Sequence, residues 1–368
     1  MTLSPISTAF RLTRPFRIDA FEEHVVEPGG GELLLRPVRA GICGSDLKLY
    51  TGTRDRRALS KKLPIALLHE AVAEVVSADG STRFSPGQRV VPSPSIPCTV
   101  AHPDRHPTAE EACYACRPGG VGDNYCVDGY FLSSNADGMA RTTFVHPESC
   151  TLPVPEAVPE TLAVLTEPLA TVLAGLEVAD PPADGCFLVL GNGALGLLTA
   201  IALRAGVGAT PDRIFMTGHH WESRRDAVAG LATPVAEDAG EVAETLAGRV
   251  DVAFECVGGE SNGQTLSLAI ELLRPGGKGI LFGPSETPLL FDTREVIAKG
   301  LNLRGCNRAS LRHFEAALRL IADQEVAGLM ERILAPKEFA IRGTRDLDEA
   351  MYHAWTKDDV GRVVTVWE

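Results

Sequence analysis

Hydrophobic positions in the first part of the chain are spaced for β-strands. Short apolar runs at 32–38 and 71–76 alternate with turns rich in proline and glycine, up to about Pro155. Runs of this length between turn residues are typical of strands. Between 92 and 128 the chain is rich in proline, histidine, cysteine and glycine and shows little periodicity. Because such a segment cannot form an apolar core by itself, we expect a bound metal to stabilise it.

After this point the pattern changes to alternating strands and helices. Apolar residues lie at helical spacing over 161–179, and an apolar run at 186–190 leads through a glycine-rich turn into a helical stretch at 195–205. Further apolar strands are predicted at 213–217, 250–256 and 279–282. This alternation favours a parallel sheet covered by helices. A helix at 313–322 and a β-like run at 362–367 follow, and we expect the last run to return to the first domain.

The predicted fold class is therefore α/β, with a β-rich first domain and a doubly wound parallel sheet in the second. A length of 368 residues suits two domains better than one. We place the first domain at 1–157, with the metal-stabilised lobe at about 92–128. The second domain is placed at 158–303, and residues 304–368 are expected to return to the first.

Composition narrows the possible partners and compartments. The net charge of −13 gives an acidic surface that repels phosphate backbones, so we expect no nucleic-acid partner. No apolar run reaches about 18 residues, so we expect no membrane span. Residues 1–10 lack the basic start and apolar stretch of a signal peptide, which favours a cytoplasmic location. Without export, the nine unevenly spread cysteines favour metal binding over disulfides.

A dinucleotide-binding motif follows the first strand of the predicted parallel sheet. Gly191, Gly193 and Gly196 form a G-x-G-x-x-G motif, with Ala194 and Leu195 opening the helix. The first glycine permits a tight turn, the second lets the backbone approach a pyrophosphate, and the third lets the helix pack on the strand. The helix N-terminus offers free N–H groups to the phosphates. The alternative is a tight strand–helix turn without a ligand.

The end of the second strand indicates which cofactor binds. An acid there would accept a hydrogen bond from the ribose 2′-hydroxyl of NAD. After Thr217 the chain instead has His219, and then Arg224 and Arg225. Arginine suits the 2′-phosphate, so NADP(H) is favoured over NAD(H). The alternatives are that both arginines lie on a solvated helix face, or that Glu222 contacts the ribose.

Three separated motifs supply candidate ligands for a catalytic zinc. They are Cys43, the pair His69-Glu70, and Glu167. A catalytic zinc needs about three protein ligands and one open position, and these side chains offer sulfur, nitrogen and oxygen donors. Each residue alone has a structural interpretation, but the three in this order before a dinucleotide fold favour a metal site.

A second metal site is predicted in the lobe. Its candidate ligands are Cys98, Cys113, Cys116 and Cys126. The Cys-x2-Cys spacing is typical of metal-binding hairpins, and four thiolates form a closed structural zinc site. The alternative is that one or more are free thiols and that His102 or His106 substitutes.

Together these motifs resemble the zinc-containing medium-chain dehydrogenase/reductase family over essentially the whole chain. The resemblance rests on 41–46, His69-Glu70, the four cysteines, 167–169 and the glycine motif. A more specific similarity, to ribulose-5-phosphate reductases (ribitol-5-phosphate dehydrogenases), rests on 52–55, 61–70, 254–259, 292–294 and 299–301. Leu68 stands before the His-Glu pair, where the wider family usually has glycine and these reductases have leucine.

The resemblance implies a GroES-like catalytic domain and a Rossmann domain with the active site in the cleft between them. It implies a zinc-dependent oxidoreductase that transfers a hydride between NADP(H) and a polyol or ketose, possibly a sugar phosphate. Such enzymes are usually homodimers or homotetramers. The alternatives are an NAD-dependent polyol or cyclitol dehydrogenase of a specialised pathway and, in another class, an inactive dinucleotide-binding protein, which would lack the metal ligands.

The resemblance also implies roles for individual residues. Either Glu70 or Glu167 completes the catalytic site, and Asp46 orients a ligand. Ser45 is expected to bond the substrate oxygen and start a proton relay, in which Lys48 occupies the position of a relay histidine in some relatives. The remaining cofactor contacts implied are Val257 and Gly283.

A basic cluster stands out in this acidic chain. It consists of Arg54, Arg56, Arg57, Lys61 and Lys62. A phosphate group on the substrate would explain it, and the candidate contacts are Arg54, Arg57, Lys61 and Arg308. The alternative is an exposed loop that neutralises nearby acids.

Overall fold

A computed structural model describes residues 6–25, 27–54, 56–235, 245–357 and 361–368. Asp55, at the end of one of the resembling stretches, and the start of the N-terminus lie outside these ranges. The first part of the chain is rich in short strands, as its apolar pattern predicts. Its elements are β1 (Ile6–Arg14), β2 (Arg17–His24), β3 (Glu32–Gly41), α1 (Gly44–Tyr50), α2 (Arg56–Lys62), β4 (Ile65–Ala66), β5 (Glu70–Ser77), β6 (Arg89–Pro92), β7 (Ser95–Ile96), α3 (Cys98–Ala101), β8 (Tyr130–Phe131), β9 (Phe144–Pro147) and β10 (Thr151–Pro153).

Helices and strands alternate in the middle of the chain. The elements are α4 (Glu160–Ala163), α5 (Thr166–Ala179), β11 (Phe187–Leu190), α6 (Ala194–Ala202), β12 (Ile214–Thr217), α7 (Trp221–Val228), β13 (Thr233–Pro234), β14 (Val250–Glu255), α8 (Asn262–Leu272), β15 (Leu273–Leu281), α9 (Thr293–Lys299) and β16 (Asn302–Gly305). The last part contains α10 (Leu311–Ile321), α11 (Gln324–Met330), β17 (Leu334–Ile341), α12 (Thr344–Thr356) and β18 (Arg362–Trp367).

The middle strands form a parallel six-stranded sheet with the order β13-β12-β11-β14-β15-β16. The order reverses at β11, the strand that leads into the glycine motif, and such reversal points are where open α/β sheets bind dinucleotides. All four residues of β11 are fully buried, as expected for a central strand covered on both faces.

The β-rich part contains a second, mostly antiparallel sheet of seven strands. Its order is β10-β6-β5-β3-β18-β17, and β9 also pairs with β3. The last strand, β18, pairs with β3 through Val364 opposite Gly41, so the C-terminal run does return to the first part of the fold. Two small sheets, β2-β1-β4 and β7-β8, complete this part.

One continuous apolar core joins the two parts. Buried residues of α5 and of the parallel sheet pack in the same cluster as Val72 of β5, Val91 of β6 and Val364 of β18. A second cluster fills the β-rich part itself. Helix α5 therefore lies at the junction of the two sheets.

The predicted α/β architecture is confirmed, with differences at element ends. The predicted helix 195–205 is α6 followed by a π-helical turn at Leu203–Val207, and the strand predicted at 279–282 is the end of the longer β15. The domain limits remain a prediction. Across the described ranges, no helix has the length and apolarity to cross a membrane.

Candidate active site and metal centres

Three predicted ligands converge at the junction of β3, α1 and β5. Single ligand atoms of Cys43, His69 and Glu70 all lie within 4.8 Å of one another. Strand pairing explains this, because Gly41 near the end of β3 lies opposite Glu70 at the start of β5. The turn from β3 into α1 then presents Cys43 beside the histidine.

Asp46 accepts hydrogen bonds from the segments that carry the predicted ligands. It is fully buried, and its carboxylate accepts hydrogen bonds from the N–H of Cys43 (3.2 Å), the N–H of Leu68 (3.1 Å) and the hydroxyl of Ser133 (2.6 Å). Its Oδ1 lies 3.5 Å from Nδ1 of His69. Burial would raise the pKa of Asp46, but His69 and these hydrogen bonds lower it below its usual value. Asp46 is therefore placed to orient the imidazole, the role implied by the resemblance.

Leu68 adopts a backbone conformation that explains the glycine of the wider family. Its φ is +71°, in the left-handed region that side chains rarely adopt. The side chain is fully buried, and its N–H bonds to Asp46. The tight backbone before His69 is therefore held by this hydrogen bond and by packing.

Arg362, on β18, contacts the site and was not identified from the sequence. Its Nε lies 3.0 Å from Oε2 of Glu70, and its Nη1 donates to the carbonyl of Ile42 (2.9 Å). Burial opposes its charge, but Glu70 and then Cys43 raise the pKa of Arg362 above its usual value. The strand that carries Arg362 was predicted, but its pairing with Glu70 could not be inferred from the sequence.

The donor set fits a zinc ion. Within the described part of the chain, both buried oxygens of Glu70 lack a hydrogen bond of acceptable geometry, so the Arg362 ion pair alone offsets this carboxylate. A buried carboxylate with unused lone pairs is costly unless a cation completes its environment. A thiol, an imidazole and a carboxylate within this distance offer zinc three ligands.

Glu167 lies outside the group of three ligand atoms, although it is close enough to interact with them electrostatically. It is buried in the first turn of α5. Burial and the neighbouring Glu70 raise the pKa of Glu167 to about 7, while His69 opposes this. Ser45 lies half-buried in the first turn of α1, beside Cys43.

The four cysteines of the lobe also come together. One sulfur from each of Cys98, Cys113, Cys116 and Cys126 lies within 4.8 Å of the other three. The Cys113 sulfur is 3.5 Å from that of Cys116 and 3.8 Å from that of Cys126. Zinc–sulfur bonds of about 2.3 Å in a tetrahedron place sulfurs about 3.8 Å apart, so this geometry fits zinc.

The two histidines considered as substitute ligands have other neighbours. His106 contacts Asp128 (2.7 Å) and the carbonyl of Glu111 (2.9 Å). The ring of His102 packs against Tyr130, with centroids 5.0 Å apart. Neither belongs to the group of four sulfurs.

The glycine motif has the shape that a dinucleotide requires. Gly191 has φ +108°, and a Cβ on Gly196 would lie 1.8 Å from the carbonyl oxygen of Gly191. By contrast, a Cβ on Gly193 would have no atom within 4 Å. The first and third glycines thus allow the turn and close packing, while the second faces open space at the start of α6, where Ala194 and Leu195 form the first turn.

At the end of β12, Asn192 occupies the space beside the strand. A Cβ on Gly218, which follows Thr217, would lie 2.2 Å from Cγ of Asn192. Asn192 donates to the carbonyl of His219 (2.8 Å) and accepts from Nη1 of Arg224 (2.7 Å). Among the described residues the buried Nε of Arg224 has no hydrogen-bond partner.

The other side chains considered near the end of β12 lie on the surface. His219, Glu222 and Arg225 are all exposed. Of the two arginines named from the sequence, the structure therefore brings only Arg224 against the strand end.

Glu255, at the end of β14, organises the predicted contacts Val257 and Gly283. Its buried carboxylate accepts from the N–H of Val257 (2.9 Å) and from the side chain of Asn262 (2.9 Å). Asn262 also donates to the carbonyl of Gly283 (2.6 Å). A Cβ on Gly283 would lie 2.3 Å from the N of Gly258, so the two loops touch directly. Glu255 was not identified as a site residue from the sequence, although its partners Val257 and Asn262 lie within seven positions of it.

The basic residues divide into two sets. Arg57 and Lys61 are exposed, whereas Arg54 and Arg308 are half-buried. Lys62, which was not among the candidate contacts, is also half-buried, and its Nζ donates to the hydroxyl of Ser134 (2.8 Å).

Lys48 joins α1 to the loop after β15. Its Nζ donates to the carbonyl of Pro284 (2.9 Å) and lies 3.2 Å from Glu286. This contact brings the turn that carries Cys43 next to the loop that carries Gly283, and the relay role of Lys48 remains a prediction.

Comparison with known proteins agrees with this geometry. Residues 29–156 match the alcohol dehydrogenase GroES-like domain, and residues 194–323 match the zinc-binding dehydrogenase domain. Ribulose-5-phosphate reductase 2 of Staphylococcus aureus is 30% identical over 318 residues, 86% of this chain and 86% of that protein. S. aureus TarJ in complex with NADPH has a TM-score of 0.76 at 24% identity, covering 99% of this chain and 100% of that chain.

A second solved structure has the same fold. A zinc-binding dehydrogenase from Sinorhizobium meliloti 1021 bound to NADP has a TM-score of 0.78 at 24% identity, covering 98% of this chain and 99% of that chain. The predicted GroES-like and Rossmann architecture is confirmed by these matches and by the observed sheets. The chain therefore belongs to the zinc-binding, medium-chain dehydrogenase/reductase family.

Proposed function

We propose that this protein is a zinc-dependent oxidoreductase that transfers a hydride between NADP(H) and a ketose or polyol. The observation that supports this most strongly is the convergence of Cys43, His69 and Glu70 next to the loop that follows β15 of the parallel sheet. The contact of Lys48 with Pro284 brings the two sites together, because Gly283 is the preceding residue. Hydride transfer requires the site that binds the substrate oxygen to lie next to the site that binds the cofactor.

Each residue of the chain has a distinct role in this proposal. When bound, zinc would polarise the substrate oxygen and the nicotinamide would exchange a hydride with the adjoining carbon. Cys43, His69 and Glu70 would hold the metal, with Glu167 close enough to replace Glu70. Asp46 orients His69 through Nδ1. Ser45 would donate or accept the proton at the substrate oxygen.

NADP(H) is proposed as the preferred cofactor. The end of β12 carries Arg224, whose Nε has no hydrogen-bond partner among the described residues, and it has no acid at Gly218, where Asn192 fills the space. This environment suits a 2′-phosphate through charge-assisted hydrogen bonds. The similarity to the NADPH complex of TarJ supports the same cofactor.

We propose a structural zinc on the four lobe cysteines, on the sulfur geometry given above. The domain limits at 157 and 303 and a cytoplasmic location are retained as proposals. A homodimer or homotetramer is supported by the edge strand β16 and by two exposed apolar residues near it, Leu290 and Ile297, which are 96% and 78% exposed.

The test is steady-state oxidation of NADPH, and separately of NADH, by zinc-loaded protein with ribulose 5-phosphate, other ketoses and cyclitol ketones. We expect turnover with NADPH that Cys43→Ser abolishes and that Cys186→Ser, a cysteine away from the site, retains. Turnover unaffected by loss of the catalytic metal would contradict the proposed mechanism, and preference for NADH would contradict the cofactor. If the protein binds NADPH but turns over none of these substrates, the result would favour the alternative of an inactive dinucleotide-binding protein.

A further inference from the structure

A cavity of about 180 Å³ lies in the β-rich part, away from the proposed catalytic site. It is bounded by the open end of the β1–β2 hairpin and by the paired strands β3 and β9. Leu34, in its lining, lies near the start of β3, and Gly41 ends that strand. Because a strand rises about 3.3 Å per residue, roughly 20 Å separates the cavity from the turn that carries Cys43. The cavity is therefore distinct from the proposed catalytic site.

Arg141 brings a positive charge to the lining of this cavity. Its Nε donates to the carbonyl of Gly138 (2.9 Å) and its Nη2 to that of Asp137 (3.2 Å), and its guanidinium carbon lies 5.2 Å from the centre of the Phe144 ring. Burial lowers the pKa of Arg141 below its usual value, while Asp137 and Glu23 oppose this. Neither of these carboxylates forms an ion pair with Arg141, because both pair with another arginine. A guanidinium has five N–H groups, so some of them remain for an acceptor in the cavity.

Thr143 supplies a second group to the lining that has no partner. Its Oγ1 is buried and forms no hydrogen bond with any described residue. The backbone of Thr143 is fixed by Ser7, whose hydroxyl donates to its carbonyl (2.7 Å) and accepts from its N–H (3.2 Å). A buried hydroxyl without a partner is unfavourable unless water or a ligand supplies one. The Thr143 hydroxyl is therefore positioned to bond a molecule in the cavity.

Glu23 adds a carboxylate to the same lining. Its charge is offset by Arg11, which also pairs with Asp137 (2.6 Å). One guanidinium thus serves two carboxylates, and the carboxylate of Glu23 has lone pairs left for a further donor. A ligand with only a negative charge would be repelled by Glu23, and one with only a positive charge would be repelled by Arg141. A ligand that carries both charges is complementary to both residues.

We propose that this cavity binds a small α-amino acid with an aliphatic side chain, in its zwitterionic form. Its carboxylate accepts hydrogen bonds from Arg141 and from the Thr143 hydroxyl, and its ammonium group donates to Glu23. Leu34 and Phe144 are buried and offer an apolar surface to the side chain of the ligand. The volume corresponds to about six water molecules at about 30 Å³ each, which suits an amino acid of the size of valine.

The experiment is calorimetric titration of the zinc-loaded protein, without cofactor or substrate, with L-valine, isovalerate and isobutylamine. Isovalerate lacks the ammonium group and isobutylamine lacks the carboxylate, so each should bind at least about 10-fold more weakly than L-valine. Arg141→Gln should weaken L-valine binding about 10- to 100-fold, because it removes a charge-assisted hydrogen bond. Glu23→Gln should weaken the binding of L-valine and strengthen that of isovalerate, because it removes the repulsion of the carboxylate. A loss of fold would weaken both ligands instead.

Thr143→Val keeps the shape of the side chain and removes a hydroxyl without a partner, so it should preserve the fold and weaken L-valine binding about three- to 10-fold. Arg83→Gln is the matched control, because Arg83 also lies over a neighbouring ring, 5.2 Å from the centre of Phe84, but is not part of the lining. No binding of L-valine at millimolar concentration, equal affinity for L-valine and isovalerate, unchanged binding in Thr143→Val, or an equal effect of Arg83→Gln would overturn the site. Since no turnover is measured, the outcome does not depend on the proposed function.

Discussion

Replacing Arg224 by glutamine should shift cofactor preference without harming the fold. Arg224 is half-buried at the end of β12, where its Nη1 bonds to Asn192 (2.7 Å) and its Nε has no partner among the described side chains. We expect the Arg224 guanidinium to contact the 2′-phosphate of NADP. A hydrogen bond to a charged group contributes about 1.5–3 kcal/mol, which corresponds to about 10- to 150-fold in affinity.

The assay is the KM for NADPH and for NADH at a fixed ketose concentration, with dissociation constants measured by fluorescence titration. We expect Arg224→Gln to raise both constants for NADPH by about 10- to 150-fold, and those for NADH by less than about threefold. Arg225→Gln is the matched control, because Arg225 is adjacent and exposed. Equal losses for both cofactors, or an Arg225→Gln effect of the same size, would refute the assignment of Arg224 to the 2′-phosphate.

Introducing an acid at Gly218 should fail to create an NAD enzyme by itself. The Cβ of any residue at that position would lie 2.2 Å from the side chain of Asn192. We therefore expect Gly218→Asp to weaken binding of both cofactors, whereas Gly218→Asp combined with Asn192→Gly should favour NADH. A single Gly218→Asp variant that binds NADH tightly would show that Asn192 does not block this position.

Three further changes probe parts of the structure that support the site. In zinc-free protein, Arg362→Met should lower the free energy of unfolding by about 3–5 kcal/mol, because it leaves the buried carboxylate of Glu70 unpaired; Arg342→Met, at an exposed ion pair, should change it little in the same urea denaturation. Gly196→Ala should destabilise the fold, since its Cβ would meet a backbone oxygen at 1.8 Å, whereas Gly193→Ala should keep the stability and weaken NADPH binding. Burial lowers the pKa of His146 to about 4, below the unfolded value of 6.5, so the unfolded state binds the extra proton and stability is lost as pH falls. Between pH 8 and 5.5 this contributes about 1.4 kcal/mol, and a His146→Gln variant with an equal loss over that range would contradict it.

Local motifs explain why much of the site could be predicted from the sequence. Cys43 and the glycine loop are each defined by neighbours within a few positions, and their chemistry follows from those neighbours. The partner of Glu70 could not be found in this way, because Arg362 reaches it only after β18 pairs with β3. Likewise, a helix of seven residues gives too little periodicity to show that Lys62 is half-buried while Lys61 is exposed.

The position of the cysteine lobe indicates that it also supports the backbone near Arg308. The four lobe cysteines bring together a segment with little apolar core, and that segment contacts the backbone just before Arg308 through Asn124 and Tyr125. A metal-closed lobe is stiffer than an apolar loop of the same length, since its four bonds fix the positions of the ligating residues. Loss of the lobe metal should therefore loosen the backbone at 305–308, where Arg308 has a left-handed conformation. Hydrogen–deuterium exchange with and without a chelator measures this, and unchanged protection of 305–308 after loss of the metal would contradict it.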